Sequence, residues 1–319
     1  MWCQMHRLIM SIESTKKSTA TPYIGRFAPS PTGPLHFGSL IAAVASYCDA
    51  KANNGKWLVR MEDLDKPREM AGAADVILQQ LAAFGFEWDE PIIYQSQRSK
   101  LYAEALNTLQ NKGLTYACTC TRKEIADSSN AHGVDGVIYP KTCYLKKNIH
   151  PSTHAAFRAV TVDKNISFLD AIQDEITQNL AREVGDFIVK RADGLFAYQL
   201  AVVVDDAAQH VTHIVRGADL LDSTPRQIYL QQWLNLPTPS YAHVPVASNA
   251  AGEKLSKQTL AQAISARLPQ QQLFAALEFL GQQPPAAIKN VTLGEAWRCA
   301  IANWGVLQVP KQRAIIGNF

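Results

Sequence analysis

The pattern of apolar and polar residues predicts that regular structure begins at Tyr23. Residues 23–27 are mostly apolar and predict a short buried strand. The next segment, 28–34, contains three prolines, which fix φ and push the preceding residues to extended geometry, so it predicts a loop. From His36 apolar residues recur at helical spacing, with Leu40 and Val44 on one face. Asn53-Asn54-Gly55 predicts a left-handed end to that helix.

Residues 57–61 predict a second strand, so the first elements form a βαβ unit and indicate a parallel sheet. Helical patterns follow at about 70–85 and 98–112, and the less regular segment 115–190 predicts an insertion. Strand character resumes at 211–216, and Ser223-Thr224-Pro225 predicts a helix start with a capping hydroxyl. Residues 241–247 predict a last strand, and the remainder after Lys257 a small helical part.

The predicted fold class is α/β: a Rossmann-like domain with a parallel sheet, an inserted α+β subdomain and a small, mostly helical C-terminal part. The predicted organisation is a flexible extension at 1–20, the two halves of the Rossmann-like domain at 21–114 and 191–247, the insertion at 115–190, and a loop with helices at 248–319.

The composition restricts the class of protein but does not identify a function. The 319 residues are 47% hydrophobic and 18% charged, as expected for a soluble globular protein of one to three domains. The net charge of +3 does not identify a nucleic-acid partner. We see no apolar run of bilayer-spanning length and no signal-peptide core, so the cytoplasm is the expected compartment, with no membrane partner.

Two short motifs carry the strongest chemical signal. His36-Phe37-Gly38-Ser39 follows a strand and opens a helix, where backbone N–H groups and the helix dipole favour an anion. Lys254-Leu255-Ser256-Lys257 puts two ammonium groups three residues apart, which suits the pyrophosphate of ATP. Either motif alone also fits a structural histidine or surface lysines. Together, in this order, they resemble the two signature motifs of class I aminoacyl-tRNA synthetases.

The finer resemblance is to the glutamyl branch of that family. Residues 26–33 (RFAPSPTG), 58–65 (LVRMEDLD), 198–206 and 214–219 (IVRGAD) resemble its opening motif, its second strand with an acidic loop, and its amino-acid-binding segment. The resemblance runs from about Tyr23 to Lys257. It implies ATP-dependent activation of L-glutamate, with magnesium accompanying ATP.

The resemblance also implies roles for individual residues. Two guanidinium groups suit the two carboxylates of glutamate, and an acid suits its ammonium group. The implied glutamate-binding residues are Arg26, Ala28, Ser30, Glu62, Tyr198 and Arg216. The implied ATP-binding residues are His36, Gly38, Ser39, Lys254, Ser256 and Lys257, of which His36, Gly38, Lys254 and Lys257 are the implied catalytic residues.

Structural alternatives remain open for several of these residues. Arg26 could form a structural ion pair with Glu62, and Tyr198 could belong to the core of an apolar segment. The acids at 63 and 65 could only cap the next helix. Asp205-Asp206 could be mistaken for a metal site, but a helix end or a structural role is preferred.

Three of the six cysteines, Cys118, Cys120 and Cys143, fall within 26 residues. In a reducing compartment this clustering favours a metal over disulfides, and zinc needs four ligands. The family places Cys-x-Cys and then Tyr-x-x-x-Cys in this region, which implies Tyr139 as the fourth ligand of one structural zinc ion. His132 is the alternative ligand, and three reduced thiols without metal are the alternative state.

About sixty residues follow Lys257, which is short for an anticodon-binding domain. This resembles the glutamyl-Q tRNA(Asp) synthetases, in which activated glutamate is joined to the queuosine wobble base of tRNA(Asp). The expected partners are therefore ATP, L-glutamate and that anticodon stem-loop, with the chain acting as a monomer. The alternatives are a short enzyme charging tRNA(Glu), a small-molecule nucleotidyltransferase, and a non-catalytic binding paralogue.

Overall fold

A computed structural model describes residues 22–134, 136–146, 154–250, 252–254 and 262–317. In the first half of the chain, strands β1 to β4 and helices α1 to α3 occur in the order β1 Ile24–Phe27, α1 Phe37–Ala52, β2 Lys56–Met61, α2 Ala73–Ala83, β3 Ile93–Tyr94, α3 Ser99–Asn111 and β4 Thr115–Cys118. Strand β1 pairs in parallel with β2, and β2 in parallel with β3. The predicted βαβ unit is therefore confirmed.

The later catalytic elements are α7 Tyr198–Ala208, β11 His213–Gly217, α8 Thr224–Leu234, β12 Ser240–Val244 and β13 Val246–Ser248. Strand β11 runs parallel to β12. The backbone N–H of Thr212, just before β11, donates to Ile24 O over 2.9 Å. This bond joins the sheet of β1, β2 and β3 to the sheet that contains β11 and β12, so β1 and β11 lie side by side at the centre of a Rossmann-like arrangement.

The inserted region contains α4 Arg122–Ser128, β5 His132–Gly133, β6 Gly136–Val137, α5 Thr142–Leu145, β7 Ala156–Ala159, β8 Asn165–Asp170, β9 Asp174–Asn179, α6 Leu180–Glu183 and β10 Ile188–Lys190. Strands β10, β7 and β4 form an antiparallel sheet that belongs to this region. Strands β8 and β9, however, extend the catalytic sheet, because Tyr241 of β12 pairs in parallel with Asp170. Strand pairing therefore crosses the predicted boundary at 190. The use of residue 190 as a domain limit stays a prediction.

The C-terminal part contains α9 Pro269–Phe279, α10 Leu293–Ala302 and β14 Ala314–Ile316. Its helices share one apolar core with β1, α1 and β2, including Leu273, Leu277 and Trp297. Strand β14 pairs in parallel with β13, which the sequence pattern did not predict. Helix α1 is consequently covered on nearly all sides, and not on the single face that its apolar spacing indicated.

The predicted left-handed end of α1 is confirmed, because Asn54, within Asn53-Asn54-Gly55, has φ 53°. The predicted capping hydroxyl at the start of α8 was wrong. At α8, Ser223 is the N-cap but makes no capping hydrogen bond, since its backbone is already helical and its hydroxyl accepts from Gln199 and Arg226. No helix in the described part of the chain combines the length and the apolar character needed to span a bilayer.

Candidate active site

A cavity opens beyond the carboxyl ends of β1, β2 and β11, the edge at which open α/β sheets bind ligands. It brings together residues that lie far apart in the sequence. From the implied site residues its wall contains Arg26, Ala28, His36, Gly38, Ser39, Glu62, Tyr198, Arg216 and Lys254. Ser30 lies in an adjoining cavity that shares His36, Ser39, Glu62 and Lys254 with the first. Ser256 and Lys257 lie outside the described residues.

Arg216 is the most informative side chain in this wall. It is only 4% exposed. Its Nε–H donates to His243 Nε2 (3.0 Å) and its Nη1 to the Tyr198 hydroxyl (3.2 Å). Its Nη2 donates to Thr224 Oγ1 (2.9 Å) and Gln227 Oε1 (2.8 Å), with a longer contact to a backbone carbonyl. All of these acceptors are neutral, and no carboxylate of a described residue forms an ion pair with Arg216.

Arg26 and Arg60 have a different environment. The Nε of Arg26 lies 3.2 Å from Asp206 Oδ1, and Nη1 of Arg60 lies 2.8 Å from the same oxygen. Arg60 Nη2 also donates to Glu62 Oε1 over 3.2 Å. The suggested Arg26–Glu62 pair is therefore not formed, because each group has another partner. Asp205 accepts from Gln95, Arg98 and Tyr102, so both acids at the end of α7 have the structural role preferred above.

Burial and charge set the protonation of the acids and the phenol. Burial raises the pKa of Glu62, opposed by the charges of Arg60 and Arg26. Burial favours a raised pKa for Asp206 as well, but the charges of Arg26 and Arg60 outweigh it and hold the pKa of this carboxyl below its usual range. The pKa of Tyr198 is raised by burial, so its hydroxyl keeps its proton. Since Tyr198 accepts from Arg216, that proton remains available to a ligand.

The amino end of α1 forms another part of the wall. His36 is the N-cap residue, with extended backbone and no capping bond from its side chain. Helix α1 has no acidic residue in its first turn, so its positive dipole end is not neutralised from within. With Gly38 and Ser39 beside it, this end offers backbone N–H groups to an anion.

Lys254 also lines the cavity and forms an ion pair with Asp219, which follows β11. Both side chains are partly exposed, at 46% and 32%. An exposed ion pair of this kind contributes little to stability. A polyanionic ligand can therefore take Lys254 from Asp219 at small cost.

A second cluster of reactive side chains lies in the inserted region. The Sγ atoms of Cys118, Cys120 and Cys143 lie within 4.8 Å of one another. The Tyr139 hydroxyl lies 3.4 Å from Cys118 Sγ and 3.5 Å from Cys120 Sγ, and it accepts the Cys143 N–H. Four donors at these separations suit a tetrahedral zinc ion, whose Zn–S bonds are about 2.3 Å. His132 is exposed, and its Nδ1 contacts Asn130 O instead.

The sequence analysis did not identify the residues that accept hydrogen bonds from the Arg216 guanidinium on the side away from the cavity. Thr224 and Gln227 come from α8, and His243 from β12. Asp170, at the end of β8, contacts His243 in turn. The buried histidine in an otherwise apolar strand was the available signal, because a fully buried polar side chain requires a partner.

Comparisons with known proteins agree with this architecture. The family described as tRNA synthetases class I (E and Q), catalytic domain, matches residues 24–295. A curated relative, the glutamyl-Q tRNA(Asp) synthetase of Dechloromonas aromatica (strain RCB), is 54% identical over 298 residues, covering 93% of this chain and 98% of that protein. The protein of the same name from Aromatoleum aromaticum is 54% identical over 294 residues, covering 92% of each.

A solved structure with the same fold is a glutamate tRNA ligase from Elizabethkingia meningosepticum in complex with its amino acid. It aligns with a TM-score of 0.75 at 24% identity, covering 92% of this chain and 67% of that chain. At this identity the likeness supports the fold alone.

Proposed function

The chain belongs to the class I tRNA synthetases for glutamate and glutamine, and within them to the glutamyl-Q tRNA(Asp) synthetases; from this premise we propose that it activates L-glutamate with ATP and transfers it to the queuosine base of tRNA(Asp). The family membership makes the chain a ligase. The substrates, the residue roles and the base that receives glutamate are the proposed parts.

The observation that carries the proposal is the buried guanidinium of Arg216 with neutral partners alone. Burying a charge without a counter-ion is costly, so it persists where a ligand supplies the opposite charge. A carboxylate of glutamate is such a ligand. Arg26, partly satisfied by Asp206, serves the second carboxylate, and Glu62 takes the ammonium group.

Tyr198 completes this subsite by donating its hydroxyl proton to the carboxylate that faces Arg216, while Ala28 and Ser30 add hydrogen bonds from the loop after β1. Glutamine offers an amide in place of one carboxylate. It would leave a buried guanidinium without a counter-charge, and this penalty accounts for selection of glutamate.

ATP occupies the other part of the cavity, beside the amino end of α1. His36 and the backbone at Gly38 and Ser39 contact its phosphates, and Lys254 leaves Asp219 to neutralise the pyrophosphate. Ser256 and Lys257 are proposed to act with Lys254. Magnesium bound to the phosphates supplies further charge neutralisation.

The reaction then has two balanced steps. A glutamate carboxylate oxygen attacks the α-phosphorus of ATP, forming glutamyl adenylate and releasing pyrophosphate. A queuosine hydroxyl next attacks the acyl carbon and the bond from that carbon to the phosphate oxygen breaks, which forms an ester and releases AMP, whose phosphate takes up the hydroxyl proton. Catalysis comes from positioning and from stabilising the charge that grows on the phosphate oxygens.

The cysteine cluster is proposed to hold one structural zinc ion through Cys118, Cys120, Tyr139 and Cys143. The guanidinium of Arg158 lies 4.0 Å from the centre of the Tyr139 ring, so it holds the ring in place. With four protein donors the ion has no open position for catalysis. Its proposed role is to fasten the inserted region for contact with tRNA.

The test uses purified chain, ATP and radioactive glutamate with tRNA(Glu) and with two preparations of tRNA(Asp), one with queuosine and one with unmodified guanosine at the wobble position. Label is expected on the queuosine preparation alone. Label on the terminal adenosine of tRNA(Glu) would instead establish the alternative, a short enzyme that charges tRNA(Glu). Binding of tRNA without any label transfer would indicate a non-catalytic paralogue.

A further inference from the structure

Behind Arg216, away from the cavity, lies a buried acid–histidine pair. Asp170 is 1% exposed and His243 0% exposed, and neither lines the cavity described above. Asp170 Oδ2 lies 2.6 Å from His243 Nδ1, and His243 Nε2 lies 3.0 Å from Arg216 Nε. The three side chains therefore form a continuous hydrogen-bonded chain that ends at Arg216 in the cavity wall.

These contacts fix the tautomer of His243. The Nε–H of Arg216 can only donate, so His243 Nε2 accepts and its proton lies on Nδ1, where it is donated to Asp170. The pKa of His243 is lowered to about 4, mainly by burial and also by the charge of Arg216, against the opposing effects of Asp170 and Asp219. The imidazole is therefore neutral at physiological pH.

The backbone holds Asp170 in turn. Its Oδ1 accepts the N–H groups of Ile172 (3.0 Å), Gln173 (2.9 Å) and His243 (3.1 Å). These donors come from the turn after β8 and from β12. The carboxylate is therefore rigid relative to the sheet that presents Arg216.

A count of donors shows what this arrangement leaves for the ligand. A guanidinium has five N–H groups. For Arg216, one is used by His243, two by Thr224 and Gln227, and one by Tyr198. A single Nη1 hydrogen remains, next to the Tyr198 hydroxyl. The rotation of the guanidinium about its long axis decides whether that hydrogen meets the carboxylate.

We infer that His243 and Asp170 are positioning residues for glutamate recognition, which act by fixing the orientation of the Arg216 guanidinium. This inference rests on the proposed function, because it requires that Arg216 binds a glutamate carboxylate. The proposed ATP subsite is built from other side chains, those at the end of α1 and Lys254.

The test compares two amide substitutions of His243 that retain different halves of the imidazole. In His243→Gln the side-chain oxygen reaches the place of Nε2 and still accepts from Arg216. In His243→Asn the amide reaches the place of Nδ1, so the contact with Asp170 is kept and Arg216 Nε loses its acceptor. His213→Gln, on the neighbouring β11 and outside the cavity wall, is the matched control.

Glutamate-dependent exchange of pyrophosphate into ATP gives KM for glutamate, KM for ATP and kcat. We expect His243→Asn to raise the glutamate KM about tenfold or more, with kcat and the ATP KM nearly unchanged. His243→Gln should stay within about threefold of the wild type, as should the control. Asp170→Asn, which has the same shape but no longer imposes the tautomer, should act in the direction of His243→Asn.

Two failures can be told apart. If the wild type shows no glutamate-dependent exchange, the proposed function fails and the positioning role fails with it. If the wild type exchanges normally but both His243 variants change KM and kcat alike, or His243→Gln has a higher glutamate KM than His243→Asn, only the positioning role is refuted.

Discussion

Two buried arginines in the same fold allow a comparison of a structural guanidinium with a binding one. Arg60 is 0% exposed and lies 2.8 Å from Asp206, 3.2 Å from Glu62 and 3.9 Å from Asp205. Arg216 is 4% exposed and contacts neutral acceptors. Replacement of each by methionine, Arg60→Met and Arg216→Met, should therefore have opposite consequences for stability and for activity.

The magnitudes follow from what each substitution leaves behind. Arg60→Met leaves Glu62 without its ion pair, and Asp205 and Asp206 keep a single arginine each. Breaking a buried ion pair costs about 3–5 kcal/mol, so we expect a loss of about 3 kcal/mol in unfolding free energy. Arg216→Met loses hydrogen bonds of about 1 kcal/mol each, but also removes a buried charge that no acid compensates. Its net effect should stay within about 2 kcal/mol.

Binding of glutamate should follow the reverse order. Truncating one partner of a buried charged hydrogen bond costs about 2–5 kcal/mol, which corresponds to roughly 30-fold to several thousandfold in affinity. Arg216→Met should therefore lose glutamate-dependent pyrophosphate exchange almost entirely while remaining folded.

Urea unfolding followed by circular dichroism measures the stability of both variants, and pyrophosphate exchange at varied glutamate measures function. An Arg216→Met protein that is as unstable as Arg60→Met, or that exchanges with an unchanged glutamate KM, would show that Arg216 is a structural residue and refute this reasoning.

Three further results are expected. Tyr198→Phe should raise the glutamate KM about tenfold through loss of one hydrogen bond to a charged group, with the ATP KM unchanged; an equal effect on both would contradict it. Cys143→Ala should lose the zinc ion that elemental analysis finds in the wild type, whereas Cys48→Ala should retain it; zinc-free wild type or zinc retained in Cys143→Ala would contradict the site. Burial and the charge of Arg216 lower the pKa of His243 in the folded protein to about 4, against the effects of Asp170 and Asp219. The neutral imidazole therefore contributes its full stabilisation, about 3 kcal/mol, above about pH 6.5, and this contribution is lost as the pH falls towards 4. The urea midpoint of the wild type should fall as the pH is lowered, and that of His243→Gln should fall less. The same decrease of the midpoint with pH in both proteins would contradict this prediction.

The central elements of the fold could be predicted from the sequence because their signals are local. The apolar strands at 24–27 and 56–61, the proline loop between β1 and α1, and the amphipathic α3 follow from neighbouring residues alone. The burial of helix α1 on nearly all sides was harder to predict. Its second face packs against α9 and α10, which lie more than 200 residues later, and alanines at that face give no strong apolar signal.

The candidate site shows the same limit. Several residues that line the cavity lie at or just after the carboxyl ends of strands, so their proximity could be inferred, whereas their roles stay predictions. The partners that orient them could not be inferred. Asp206 reaches Arg26 across 180 positions and Asp170 reaches His243 across 73. Such contacts depend on strand order, and β8 joins the catalytic sheet from within the inserted region.

A crystal structure of the chain with glutamate bound tests the central claim most directly. We expect one carboxylate within hydrogen-bond distance of Arg216 Nη1 and the Tyr198 hydroxyl, the other facing Arg26, and the ammonium group on Glu62. Glutamate bound elsewhere, or an Arg216 that keeps its neutral partners and makes no contact with the ligand, would contradict the account.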